Sequence, residues 1–157
     1  MPKTLGQLTV RKDGSVLRMI RRVYGSEDLN HLKAVARANP QIDNINVVTA
    51  GKVVNFPALP IGGKPSLKKM YRLQIAKHTD LKGAYAFLEL YAPDLLAAHM
   101  VPNWNSREGL VFAVLLKEGF ADEAAALRAK SQLLPSLAAD AEIRESWDKD
   151  TVFFAHP

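Results

Sequence analysis

The sequence predicts an α+β protein in two parts, a small domain over residues 1–58 and a larger one over residues 70–157. Three observations predict this. Residues 8–57 follow the order strand, helix, helix, strand, and residues 59–69 contain two prolines and two glycines, as a linker does. Residues 70–157 follow the order β-α-β-β-α-β, which favours an antiparallel sheet with helices on one face.

The first part begins with a short strand in which Leu8 and Val10 alternate with polar residues. Ser15 is placed to cap a first helix, and Gly25 is placed to end it in the left-handed conformation. Ser26 or Asp28 can cap a second helix, which Pro40 must end. The predicted inward-facing residues are Leu17, Ile20, Val23 and Tyr24 in the first helix, and Leu29, Leu32, Val35 and Ala36 in the second.

These landmarks, taken in order, resemble a LysM domain. The residues that carry the resemblance are Leu17, Ile20, Tyr24-Gly25, Asn39-Pro40, Gly51 and Phe56-Pro57. The opening departs from the family pattern, which is usually Gly-Asp-Thr/Ser-Leu, because it reads Asp13-Gly14-Ser15-Val16-Leu17. The resemblance implies a βααβ fold that binds N-acetylglucosamine-containing glycans, chiefly peptidoglycan and chitin.

The resemblance places a glycan groove between the turn before the first helix and the loop after the second. Backbone amides and apolar contacts on such loops are suited to sugar binding. Asp13 and Asn39 have an alternative interpretation as purely structural turn and cap residues. The residues expected to contact glycan here are Asp13, Gly14, Ser15, Val16, Asn39, Pro40, Gln41, Ile42 and Asp43.

The second part opens with a strand over residues 71–76, in which Arg72 and Gln74 alternate with apolar residues. Asp80 and Asp122 are placed to cap helices, the later one running over 123–134 with Ala124, Leu127 and Leu134 inward. Other predicted elements are a strand at 97–101, a polar hairpin loop at 103–109, a central strand at 110–116, a strand at 141–144 and an aromatic segment at 147–154 that adds an edge strand or caps the core.

This second part resembles a SPOR domain over about residues 71–137. It keeps Gln74 in the first strand, both capped helices, and Gly119-Phe120 before the second helix. It has Ala76-Lys77-His78-Thr79 where that family typically has Gly-Ser-Phe. The resemblance implies a ferredoxin-like sheet that binds peptidoglycan strands on its open face. Arg72 and Gln74 are the candidates on that face, with Trp104 at its rim.

A LysM-like part followed by a SPOR-like part resembles the cell-wall-binding end of the general secretion pathway protein A family of type II secretion. The resemblance implies a periplasmic location within a longer, membrane-anchored chain. Residues 1–157 show no signal-peptide pattern, so we expect either a cytosolic protein or a piece of a longer chain whose targeting segment lies upstream. The expected partners are peptidoglycan or N-acetylglucosamine oligomers, together with other envelope secretion proteins. Any membrane contact is expected only through segments outside this chain.

The net positive charge of the chain comes entirely from the first part. Residues 1–60 hold nine Lys and Arg against four Asp and Glu, and the rest of the chain is balanced. Arg18, Arg21 and Arg22 recur on one helix face, which favours either a solvated surface or attraction to a polyanion. An alternative function is therefore nucleic-acid binding, although the predicted strands lack a paired aromatic platform. A protein-interaction scaffold is a third, because the apolar strand at 110–116 would need covering if it lay at an edge.

Signatures of catalysis are missing from the sequence. Cysteine is absent, which excludes disulfides and thiolate chemistry, and the four histidines have no metal-ligand spacing. Acidic pairs such as Asp122 and Glu123 stand where helix starts favour carboxylates. We therefore expect a binding protein rather than an enzyme, with no metal and no cofactor.

Overall fold

The structure, a computed structural model, describes residues 1–12, 14–63, 70–91 and 97–157 and confirms an α+β fold with antiparallel sheets. The first half contains β1 (Thr4–Thr9), α1 (Val16–Tyr24), α2 (Leu29–Ala38) and β2 (Val53–Pro57). The second half contains β3 (Tyr71–His78), α3 (Leu81–Tyr91), β4 (Ala98–Asn105), β5 (Gly109–Phe120), α4 (Glu123–Ser131), α5 (Pro135–Ala138), β6 (Glu142–Arg144) and β7 (Val152–Phe153).

In the first half, β1 and β2 form an antiparallel pair; α2 packs on β2, α3 packs on β1, and Tyr24 of α1 packs against Phe56. The predicted caps of α1 are confirmed: Ser15 accepts a hydrogen bond from the Arg18 N–H at 3.1 Å, and Gly25 has a φ of 80°. β1 starts earlier than predicted, at Thr4. Both Leu5 and Leu8 are buried in it, because the register shifts between Thr4 and Gly6.

The second helix buries less than the sequence predicts. Asp28 caps it by accepting the His31 N–H at 3.0 Å. Val35 is fully buried and Leu32 partly, but Leu29 is 63% exposed and Ala36 is exposed, so those two predictions are wrong. The reason is that α2 packs on β2 and α1 through a narrow stripe centred on Val35.

The second half is a five-stranded antiparallel sheet in the order β6-β3-β5-β4-β7. The central position predicted for residues 110–116 is confirmed, since β5 pairs with β3 on one side and β4 on the other. Asp80 and Asp122 cap α3 and α4 by accepting the N–H groups of Gly83 and Ala125. The predicted edge strand near the C-terminus is confirmed as β7, where Phe153 lies opposite Asn103.

The later helix and the hairpin loop of the second half have boundaries that differ from the predictions. The helix predicted over 123–134 ends at Ser131, and Pro135 starts α5. Its inward face is alanine, with Ala126 fully buried, while Leu127 and Leu134 are about half exposed and Ala124 is exposed. Small side chains face inward because α4 lies close against β3. The predicted hairpin loop at 103–109 is shorter, since β4 extends to Asn105.

The two halves share one hydrophobic core. A single cluster contains buried residues from both, such as Ile20 in α1 and Ile75 in β3. Arg11 forms an ion pair with Glu89 at 2.6 Å, and the Arg22 guanidinium lies 5.5 Å from the Tyr85 ring centre. Arg21 pairs instead with Glu27, so the predicted basic face is divided among separate contacts. The domain division at 59–69 stays a prediction, and its residues 64–69 lie outside the described part of the chain.

The second face of the sheet is not open as predicted. Val101, Ala113, Leu115 and Phe153 are buried there as a separate small cluster, against which Ile61 and Trp147 pack. The Ile61 N–H donates to the Phe153 carbonyl at 2.9 Å, which carries the chain after β2 onto the β7 edge. Of the helices that the structure describes, none has the length and apolarity to cross a bilayer.

Candidate glycan-binding pocket

The outer surface of the β1–β2 pair carries a pocket of about 450 Å³. The pocket lies where Ala38, the last residue of α2, approaches the paired strands β1 and β2. This volume falls within the ~300–1,000 Å³ typical of small-ligand sites. The lining residues are Lys3, Thr4, Gly6, Gln7, Ala38, Asn55 and Pro57.

Four carboxamide side chains, here called the amide row, run from this pocket to the loop after α2. Gln7 Nε2 donates to Asn55 Oδ1 at 2.7 Å, and Asn55 Nδ2 donates to Asn39 Oδ1 at 3.2 Å. Gln41 Nε2 donates to the same Asn39 oxygen at 3.3 Å. Because Gln7 and Asn55 are direct partners across the strands, their polar side chains meet on the outer surface.

Asn39 is the buried anchor of the amide row, with no exposed surface. Its Nδ2 donates to the carbonyls of Val35 at 2.7 Å and Asn55 at 2.8 Å, and its Oδ1 accepts the Asn55 N–H at 2.7 Å. The side chain thus joins the end of α2 to β2 and fixes the backbone of Asn55. This arrangement favours the structural interpretation that the sequence left open for Asn39.

The other residues of the predicted loops are placed unevenly. Pro40, Gln41 and Asp43 are exposed, but Ile42 is half-buried against the main core. On the opposite loop Gly14 is exposed, Ser15 is used as the α1 cap, and Val16 is only 3% exposed. Asp13 lies outside the described residues. No hydrogen bond among the described residues joins the two loops to each other.

The three candidates in the second half do not form one surface. Gln74 is only 3% exposed, and its Oε1 accepts a bond from Arg144 Nη1 at 2.9 Å. Arg72 is half-buried and donates to the Lys117 carbonyl at 3.1 Å. Trp104 lies within β4 and packs against the main core, on the sheet face opposite Gln74 and Leu115. The expected constellation of Arg72, Gln74 and Trp104 on an open face is therefore wrong.

An interaction that the sequence did not indicate closes the space over Gln74. The Arg144 guanidinium lies 3.9 Å from the Trp147 ring centre, and Trp147 meets the Phe153 ring edge to face at 5.1 Å. Burial lowers the pKa of Arg144. One face of the Trp147 ring is thus occupied by a cation from the same chain, so a sugar cannot stack on that face.

The pocket residues lie mostly on strands, whereas the sequence predicted a site on loops. A usable signal was present: Gln7 and Asn55 are polar residues in short strands whose neighbours Leu8, Val54 and Phe56 are buried. What the sequence could not give is the register that places them side by side. Within the described ranges, no group of three or more His, Cys, Asp or Glu could hold a metal ion.

Compared with models of known protein families, with curated proteins and with solved structures, the chain matches none of them.

Proposed function

We propose that the first half of this protein is a non-catalytic binding module for glycans that contain N-acetylglucosamine, such as peptidoglycan or chitin. The observation that carries the proposal is the pair of carboxamides that line the pocket, Gln7 and Asn55, which the buried Asn39 holds in place. Carboxamides offer donors and acceptors side by side, which suits both sugar hydroxyls and the acetamido group of an N-acetyl sugar. Gly6, Ala38 and Pro57 add apolar surface for the sugar ring.

The pocket is held in shape by contacts that leave its polar surface available. Thr4 Oγ1 donates to the Phe56 carbonyl at 3.0 Å, and the Ala58 N–H donates to the Lys3 carbonyl at 3.0 Å. Asn39 fixes Asn55 as described above. The pocket is therefore already ordered before a ligand binds. This favours affinity, because little conformational entropy of the protein is lost on binding.

The element order supports the family-level part of the proposal. The first half has the βααβ order of a LysM domain, with Asn39-Pro40 after its second helix. In the second half the order β6-β3-β5-β4 is the one that a ferredoxin-like βαββαβ sheet has. On these resemblances we propose that the chain serves a cell-envelope assembly in the periplasm, of the kind used in type II secretion, by holding it to the wall.

The test is an NMR titration of the chain with a chitin tetramer. We expect shifts to cluster on Gln7, Asn55 and Ala38, and we expect Gln7→Ala to weaken binding by about five- to tenfold, the effect of one net hydrogen bond. Thr9→Ala is the matched control, because Thr9 is an exposed residue of the same strand that does not line the pocket.

Two other outcomes would be decisive. Shifts centred on Gly14, Ser15 and the 40–43 loop would place the sugar in the groove that the LysM resemblance implies and remove the pocket assignment. An absence of shifts at millimolar sugar, together with no co-sedimentation with purified peptidoglycan, would overturn the glycan proposal.

A further inference from the structure

The charge that lines the pocket is of one sign, positive. Its lining includes one cation, Lys3, and no carboxylate among the described residues. The remaining polar groups are neutral: the carboxamides of Gln7 and Asn55 and the hydroxyl of Thr4. The pocket also lies on the half of the chain that carries the whole positive excess, nine Lys and Arg against four Asp and Glu in residues 1–60.

The backbone of Lys3 is held in place by hydrogen bonding at and next to this residue. Its carbonyl accepts the Ala58 N–H, and the next residue, Thr4, pairs with Pro57 in the strand ladder. The backbone at Lys3 is therefore held against residues 57–58, while its side chain is exposed at the pocket. Among the described residues Lys3 forms no ion pair, in contrast to Arg11 and Arg21.

A neutral oligomer would gain little from this ammonium group. A chitin oligomer carries no charge, so Gln7 and Asn55 would supply its polar contacts and Lys3 would remain solvated. An anionic group on the ligand would change this, because two opposite charges about 4 Å apart in a water-accessible site attract by ~1 kcal/mol. The pocket therefore has a means of distinguishing acidic from neutral amino sugars that have the same ring.

We infer that the pocket selects N-acetylglucosamine polymers that carry carboxylates, and that Lys3 is the residue that determines this preference. The inference rests on the proposed glycan-binding function and narrows its ligand to an acidic amino-sugar polymer. Gln7 and Asn55 hold the acetamido sugar, and the Lys3 ammonium group pairs with a carboxylate on the same or the adjoining unit.

The probes for the test separate the effect of charge from the effect of bulk. Chitin tetramer, carboxymethylated chitin tetramer and the amide of that carboxymethyl derivative share one backbone, and the last two share one bulk. We expect the carboxylate form to bind about fivefold more tightly than either neutral form in low salt. Salt at about 0.5 M should remove that difference, because the screening length falls to only a few ångströms.

Lys3→Gln should abolish the preference and leave the affinity for chitin tetramer unchanged. Lys33→Gln is the matched control, since Lys33 is exposed on α2, does not line the pocket, and its loss changes the net charge equally. An equal effect of both variants would show that total charge, rather than Lys3, sets the preference and would overturn the inference. Equal binding of all three probes to the unaltered protein would overturn it while preserving the proposed function. Binding of none of them would overturn both.

Discussion

Gly6 in β1 lies directly against Leu81 at the start of α3, so that a Cβ atom added to Gly6 would come 3.0 Å from the Leu81 Cβ. Gly6 also has a φ of 139°, a conformation that residues with a side chain rarely adopt. The same residue lines the pocket on its other side. The contact between the two halves and the shape of the pocket therefore depend on one glycine.

Gly6→Ala should destabilise the protein by about 1–3 kcal/mol, through steric overlap with Leu81 and backbone strain. Gly62→Ala is the control, because Gly62 has no positive φ and nothing within 4 Å of an added Cβ. Thermal unfolding of both variants measures the difference. Equal melting temperatures would mean that β1 and α3 are not held as closely as described.

The shared core predicts coupled unfolding of the two halves. Their buried residues form one cluster, and Arg11 with Glu89 and Arg22 with Tyr85 connect them at the surface. We expect limited proteolysis to cut within residues 59–69, as the linker composition predicts, but we expect calorimetry of the intact chain to show one transition. Two well-separated transitions would support fully independent domains instead.

Gln74→Ala should cost about 1–2 kcal/mol, since it leaves the half-buried Arg144 without its acceptor. This reverses the expectation for an exposed strand position. Gln132→Ala, at an exposed position after α4, is the control and should change stability by no more than ~0.5 kcal/mol. Chemical denaturation gives both values, and equal midpoints would restore the open-face interpretation.

The protein should lose stability in mild acid because of the partly buried His99. Its pKa is lowered by burial and further by the nearby charges of Arg72 and Lys117. The folded protein therefore holds fewer protons on His99 than the unfolded chain does, and stability falls as the pH drops below about 6.5. His99→Gln should flatten the dependence of melting temperature on pH in this range, and an unchanged dependence would contradict the prediction.

The parts of the fold that were predicted correctly depend on interactions between residues close together in the sequence. The caps formed by Ser15, Asp28 and Asp122 depend only on a side chain and the backbone N–H groups two or three residues on, so they can be read from adjacent sequence. The length and apolar character of residues 110–116 likewise indicated the central strand without reference to its neighbours.

Features that depend on distant residues were missed. Gln74 alternates with apolar neighbours as an exposed residue would, but Arg144, seventy positions later, buries it. Trp104 was predicted to lie in a loop, but it pairs with Leu110 and Val152 and therefore lies in a strand. The pocket was missed for the same reason, since only the register of β1 against β2 brings Gln7 to Asn55.

The bonds between Asn39 and Asn55 have a consequence for solubility. β2 is an edge strand, and an unpaired edge can recruit a strand from another molecule and begin aggregation. The Asn39 carboxamide takes both the N–H and the carbonyl of Asn55, as a neighbouring strand would do. A side chain at the end of a helix thus shields the middle of this edge from self-association. Asn39→Ala would expose it, so that the protein would be expected to form intermolecular β-structure at concentrations where the unaltered chain stays dispersed.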